Sequence, residues 1–168
     1  MIHTQLRVFV ASTYTDLKSY RDAVRHCLDG LNLSGINYFG KQPDDPGSEC
    51  INMVRSCNIY IGIFGMRYGS IREGQKKSMI HLEYEEAQYL RIPSLIYLID
   101  EEKQPVLPIH IELGAGAEKL RQLKTALREK HIVSLFTSEE DLASKIVHDL
   151  PRLLQTIGWE QPLDSEGK

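Results

Sequence analysis

The stretch Asn58-Ile59-Tyr60-Ile61-Gly62-Ile63-Phe64 is apolar at nearly every position. A strand covered on both faces reads this way, which marks the centre of a parallel sheet. Working outward, Leu6-Arg7-Val8-Phe9-Val10-Ala11 is short, apolar and β-branched, a second buried strand. Ile36 to Phe39 follows a turn at Gly35, and Ser94 to Ile99 and His131 to Phe136 complete a set of five strands. The intervening segments repeat apolar residues at helical spacing. Leu17, Tyr20, Val24, Cys27, Leu28 and Leu31 form one stripe on a helix expected to begin near Asp16, capped by the hydroxyls of Ser12 to Thr15. A helix from Glu49 turns Ile51, Val54 and Cys57 inward, another spans Ile80 to Leu90, and a fourth buries Leu120, Leu123 and Leu127. Ser138 and Asp141 form a capping box for the last helix, whose stripe runs from Leu142 to Leu154 with a kink expected at Pro151.

Strand and helix alternate along the whole chain, so right-handed crossovers require a parallel, doubly wound sheet. The expected fold is α/β: a three-layer, flavodoxin-like arrangement with a five-stranded parallel sheet in the order 2-1-3-4-5. Such sheets bind ligands beyond the carboxyl ends of the strands, where the winding reverses. Here that point lies between the first and third strands, beside the loops Ser12–Asp16 and Gly65–Ser70. One domain is expected over residues 1–158, with a polar tail or linker over 159–168.

Composition narrows the function classes. The 168 residues are 42% hydrophobic and carry a net charge of -3, which gives no general attraction for nucleic acid or an anionic membrane. No apolar run approaches the roughly 20 residues of a membrane span. Met1 leads straight into a strand, so no signal peptide is expected, and Cys27, Cys50 and Cys57 read as reduced core residues. Those features point to the cytoplasm. The histidines show no ligand spacing, so no metal site is expected, and no P-loop, GxGxxG or GxSxG pattern is present.

The candidate chemistry centres on a carboxylate. Ile80, Glu83, Ala87 and Leu90 share one helix face, so the apolar members draw Glu83 inward, whereas Glu85 points away. A carboxylate on a core-facing stripe must be paired, hydrogen-bonded or set against a cleft. Pairing with an arginine such as Arg67 is one reading, and a catalytic carboxylate at the cleft is the other. Arg67 offers a fork for phosphate or carboxylate, Tyr68 a stacking face, and Gly65 and Gly69 close backbone approach. Ser12 and Thr13 can donate to a phosphate, or cap the helix alone, and Asp16 suits the helix dipole.

Several motifs, in order, carry a family resemblance. Val8-Phe9-Val10-Ala11-Ser12-Thr13-Tyr14-Thr15-Asp16-Leu17 is similar to the V-F-[VI]-S-S-T-[FY]-x-D-[LM] opening of domain of unknown function 4062. The spacing of Arg21 and Val24, Phe39, Cys50, the run Ile59 to Gly69, and Ser78…Glu83-Tyr84…Ala87 also match, over roughly Leu6 to Leu150. That family in turn resembles Toll/interleukin receptor (TIR) domains and nucleoside deoxyribosyltransferases. The resemblance implies an N-glycosidic substrate, most naturally NAD, taken as substrate and not as cofactor. It implies Glu83 as the catalytic group, from the E-x-G-x-A pattern and from the serine, here Ser78, that precedes the TIR glutamate. Ser12, Thr13, Asp16, Arg67, Tyr68, Gly69 and Ser78 are the implied substrate-binding set. Implied partners are a nucleotide and further copies of the chain, brought together by a fused NACHT-like or repeat-containing sensor in a bacterial immune or signalling protein. Assembly without catalysis is the alternative. Ala11, Asn37 and Asn58 depart from the family pattern, the last two replacing acids expected near the cleft.

Overall fold

The computed structural model describes residues 5–31, 37–40 and 47–160. The Gly35 turn, most of the loop from Lys41, and residues 161–168 of the expected tail lie outside the described residues. The elements run β1 (Arg7–Ser12), α1 (Lys18–Gly30), β2 (Asn37–Gly40), α2 (Gly47–Arg55), β3 (Ile59–Phe64) and α3 (Met79–Tyr89). They continue through β4 (Ser94–Ile99), a 3-10 turn (Pro108–His110), α4 (Ala115–Lys130), β5 (Ser134–Phe136) and α5 (Glu139–Thr156). The sheet order is β2-β1-β3-β4-β5, and every neighbouring pair is parallel.

Alternation along the central strands divides the core in two, because successive side chains point to opposite faces of a sheet. Val8, Val10, Ile59, Ile61 and Ile63 pack with the stripes of α1 and α5. Phe9, Ala11, Tyr60 and Phe64 pack on the opposite face with α2, α3 and α4. Helices therefore cover both sides of the sheet, and β3 is buried along its whole length. Its apolar run needs no polar face because neither face meets water.

Local details depart from the sequence reading where a residue has a better partner than its own helix end. Helix α1 begins at Lys18, after a turn, and its N-cap is Leu17 with no side-chain cap. Ser12 is not a capping residue: it extends β1, and its hydroxyl accepts a bond from Arg21 Nη1 at 2.8 Å. Helix α2 ends at Arg55, so Cys57 lies beyond it, buried just before β3. Helix α3 ends at Tyr89, which leaves Leu90 exposed and off the buried stripe. His131 caps the end of α4, and its Nε2 lies 2.8 Å from the Tyr84 hydroxyl. Helix α5 continues through Pro151. At its start Asp141 N donates to Ser138 Oγ at 3.0 Å, while the Asp141 carboxylate accepts from Thr137 and Lys145.

Candidate functional site

Parallel strands end together, and the loops leaving β1 and β3 meet above their carboxyl ends. A cleft of about 240 Å³ lies there, lined by the turn Ser12–Asp16, by Arg67, Gly69 and Ser70, and by Met79 and Ile80 of α3. Gly69 adopts a left-handed φ of 91°, which few other residues tolerate. A Cβ there would also come within 3.1 Å of Thr13 Cγ2, so the two loops close against each other only through glycine.

Glu83 lies one turn deeper on α3, at the spacing that puts it on the same face as Met79 and Ile80. Its exposure is 0%. Its charge acts on Arg21, which is itself buried, and on the buried Tyr60 hydroxyl. Burial lowers the Arg21 pKa and the Glu83 carboxylate partly restores it; burial, then the same carboxylate, pushes Tyr60 up. Helices α1 and α3 belong to opposite layers, so this cluster joins the two layers at the end of β1. Ser12, held by Arg21, is the link from the cluster to the cleft wall.

The other expected site residues divide into two sets. Ser12, Thr13, Asp16, Arg67 and Gly69 line the cleft. Ser78 is fully buried at the N-cap of α3, and its hydroxyl neither caps the helix nor finds another partner. Tyr68 is turned away. Its ring is 2% exposed, and its hydroxyl sits 2.8 Å from His81 Nδ1, so it cannot stack on a base in this cleft. Burial at the helix surface won over the glycine-flanked loop position that suggested a stacking face. Tyr68 borders a separate hollow with Lys76, Lys77 and Lys119.

Arg67 does not pair with Glu83. Its Nη1 donates to the Ile109 carbonyl at 3.0 Å, and Nε lies 3.9 Å from Glu112. Glu112 also accepts from Tyr68 N and donates its own N–H to the Met66 carbonyl. The long segment after β4 is thereby tied to the loop after β3. Nothing in the spacing of Glu112 announced this. Arg21 was legible: it follows Leu17 by four residues and precedes Val24 by three, the same inward stripe that singled out Glu83.

Asn37 and Asn58 do not border the cleft. Asn37 opens β2, paired with Arg7 at the start of β1, and Asn58 precedes β3. The Asn58 side chain accepts from Arg7 N at 2.8 Å. Both positions lie at the amino ends of their strands, whereas the cleft lies over the carboxyl ends of β1 and β3. Among the described residues no cluster of His, Cys, Asp and Glu could hold a metal ion. No helix among them is long and apolar enough to cross a membrane.

The sequence model for Domain of unknown function (DUF4062) matches residues 7–151. The chain belongs to this family. No curated protein matches it in sequence. Among solved structures, the TIR domain heterodimer of RPS4 and RRS1 is similar in fold, with a TM-score of 0.52, 11% identity, and coverage of 89% of this chain and 98% of that one. A flavodoxin-like domain from Synechococcus sp gives a TM-score of 0.45 and 13% identity over 93% of this chain and 100% of that one. The DUF4062 chain thus shares the TIR-like arrangement of a parallel sheet between helical layers, and the likeness extends to the fold alone.

Proposed function

We propose that this DUF4062 domain is a TIR-like effector that cleaves an N-glycosidic bond, with NAD as the substrate, in a bacterial immune or signalling protein. The observation that carries the reading is a fully buried carboxylate, Glu83, on α3 one helical turn below Met79 and Ile80, which line the cleft. Burying a carboxylate costs several kcal/mol unless the site uses or compensates it. At an N-glycosidic bond it has a use. The C1′–N bond breaks with its electron pair going to nicotinamide, which leaves neutral. Positive charge develops on the ribosyl carbon, and a carboxylate stabilises it or bonds to it. Water then adds to C1′ and releases a proton, giving ADP-ribose. Arg67 and the Ser12–Thr13 turn supply donors for phosphate.

In the resting domain the Arg21–Ser12 bond and the first turn of α3 separate Glu83 from the cleft. Catalysis therefore requires these to part, and assembly of several copies is the natural trigger. The test is incubation of concentrated or artificially clustered protein with NAD, with chromatography of released nicotinamide. Release by the native chain, and none by a Glu83→Gln variant of unchanged melting temperature, is expected. Equal turnover by that variant removes the reading.

A second reading, assembly without turnover, is favoured by the strip that follows β4. Leu107, Ile109 and Leu113 are 64%, 72% and 82% exposed on a segment fastened to the cleft loop. Exposed apolar side chains this close together suit a contact between copies. The solved TIR domains of RPS4 and RRS1 form a heterodimer. Light scattering of an Ile109→Ser, Leu113→Ser variant tests it: loss of self-association with NAD turnover absent throughout supports assembly alone.

A further inference from the structure

Asp16 is the least satisfied group at the cleft. Neither carboxylate oxygen makes a hydrogen bond of good geometry, although the Thr13 hydroxyl and the Asp16 N–H stand near enough to lower its pKa, and both oxygens are shielded from water. The carboxylate is seated against Gly65, where a Cβ would stand 2.7 Å from Asp16 Oδ2. A side chain at that position would push the carboxylate or Leu17 aside. An unsatisfied buried acceptor costs roughly 1–3 kcal/mol, and more when charged, so the arrangement makes sense if an occupant brings donors.

The position of Asp16 says what kind of occupant. It forms part of the wall of the cleft over β1 and β3, and also of a neighbouring cleft of about 190 Å³ lined by Tyr20, Ile99, Pro105, Val106 and His110. Each cleft alone is smaller than the roughly 300 Å³ at which ligand pockets begin. They share Asp16. The first is flanked by Arg67; the second sets Ile99, Pro105 and Val106 beside Ser19, Gln104 and Glu139. Two cations, Arg67 and Lys124, already act on this carboxylate and disfavour a metal ion beside it. Neutral hydroxyl donors remain. A vicinal diol matches a carboxylate's two oxygens, as in the ribose contact of dinucleotide-binding folds.

We propose that Asp16 receives the vicinal hydroxyls of a ribose, with the nucleotide's phosphates beside Arg67 in the first cleft and its base against Ile99, Pro105 and Val106 in the second, so that the site selects ribonucleotides over deoxyribonucleotides. The inference rests on the nucleotide reading of the cleft and names its sugar. The occupant reaches the shielded oxygens by displacing the turn at Tyr14 and Thr15, whose side chains are exposed.

The experiment is calorimetric titration of the full chain carrying Glu83→Gln, with ADP and with 2′,3′-dideoxy-ADP as probes. Hydrogen bonds to a charged group predict that the dideoxy compound binds about tenfold more weakly, or worse. Adding Asp16→Asn should close most of that gap with the melting temperature maintained. Gly65→Ala, which keeps the carboxylate but crowds it, should weaken ADP more than the dideoxy compound. Equal binding of both probes overturns the ribose role while leaving the nucleotide cleft standing. Binding of neither overturns both. A preference for ADP that survives both substitutions assigns the diol to another residue and sinks the role of Asp16.

Discussion

The carboxyl ends of β1 and β3 and the flank formed by β4, β5 and α5 are built from the same sheet, yet they treat polar groups in opposite ways. On the flank, Ser138 caps α5, Asp141 accepts from Thr137 and Lys145, and the Tyr97 hydroxyl donates to Asp149 at 2.8 Å. At the cleft end, Thr13, Asp16 and Ser78 carry buried oxygens that lack a hydrogen bond of good geometry. Native folds leave few such groups, so a cluster of them at one end marks where stability has been given up. The flank holds the fold together, and the cleft end is held ready for something else.

Five changes sharpen or break this contrast. The largest effect belongs to the flank: Ile146→Ala, at a fully buried position on α5, should cost about 2–5 kcal/mol in denaturant unfolding and leave nucleotide affinity untouched. If the folded variant also loses affinity, the two regions are not separable. Next comes Gly65→Ala at the cleft, with a cost of about 1–3 kcal/mol from crowding Asp16 and Leu17, accompanied by weaker ADP binding. Ser138→Ala should cost about 1 kcal/mol through loss of the α5 cap, again with no change in binding.

The smallest effects are in pH dependence, and their signs differ between the regions. Burial raises the Asp16 pKa, and Thr13, Arg67 and His110 only partly offset it. Its contribution to stability is therefore present below the ordinary value of 3.8 and is lost as pH rises through the higher folded value. The Lys145 hydrogen bond, chiefly, lowers the Asp141 pKa, so its contribution is present above 3.8 and is lost as pH falls through the folded value. At neutral pH, Asp16→Asn should raise the melting temperature slightly and Asp141→Asn should lower it. Shifts in the same direction would contradict the division between a satisfied flank and a strained cleft.

The same contrast governs what could be read in advance. Apolar periodicity located the helices to within a few residues, and it brought Glu83 inside, because burial is a property of a face and a face is written in spacing. It would have brought Arg21 inside by the same rule. Capping at Ser138 was legible because it joins near neighbours in sequence. The hydroxyl turn after β1 carried a similar local pattern but was misread as a cap, since Arg21 competes for Ser12 from across the core. Tyr68 was misplaced because a loop residue has no period to show which way it faces.

By itself the sequence determined an alternating α/β chain with β3 at its centre, membership of a recognisable family, and a carboxylate turned toward the interior. Those depend on local spacing, which the chain cannot hide. Only the tertiary structure decided that Glu83 faces Arg21 and not Arg67, that Glu112 ties the segment after β4 to the loop after β3, and that Asp16 stands between two clefts. These are meetings of residues far apart along the chain. They follow from how the layers close over the sheet, where geometry, and not periodicity, selects each partner.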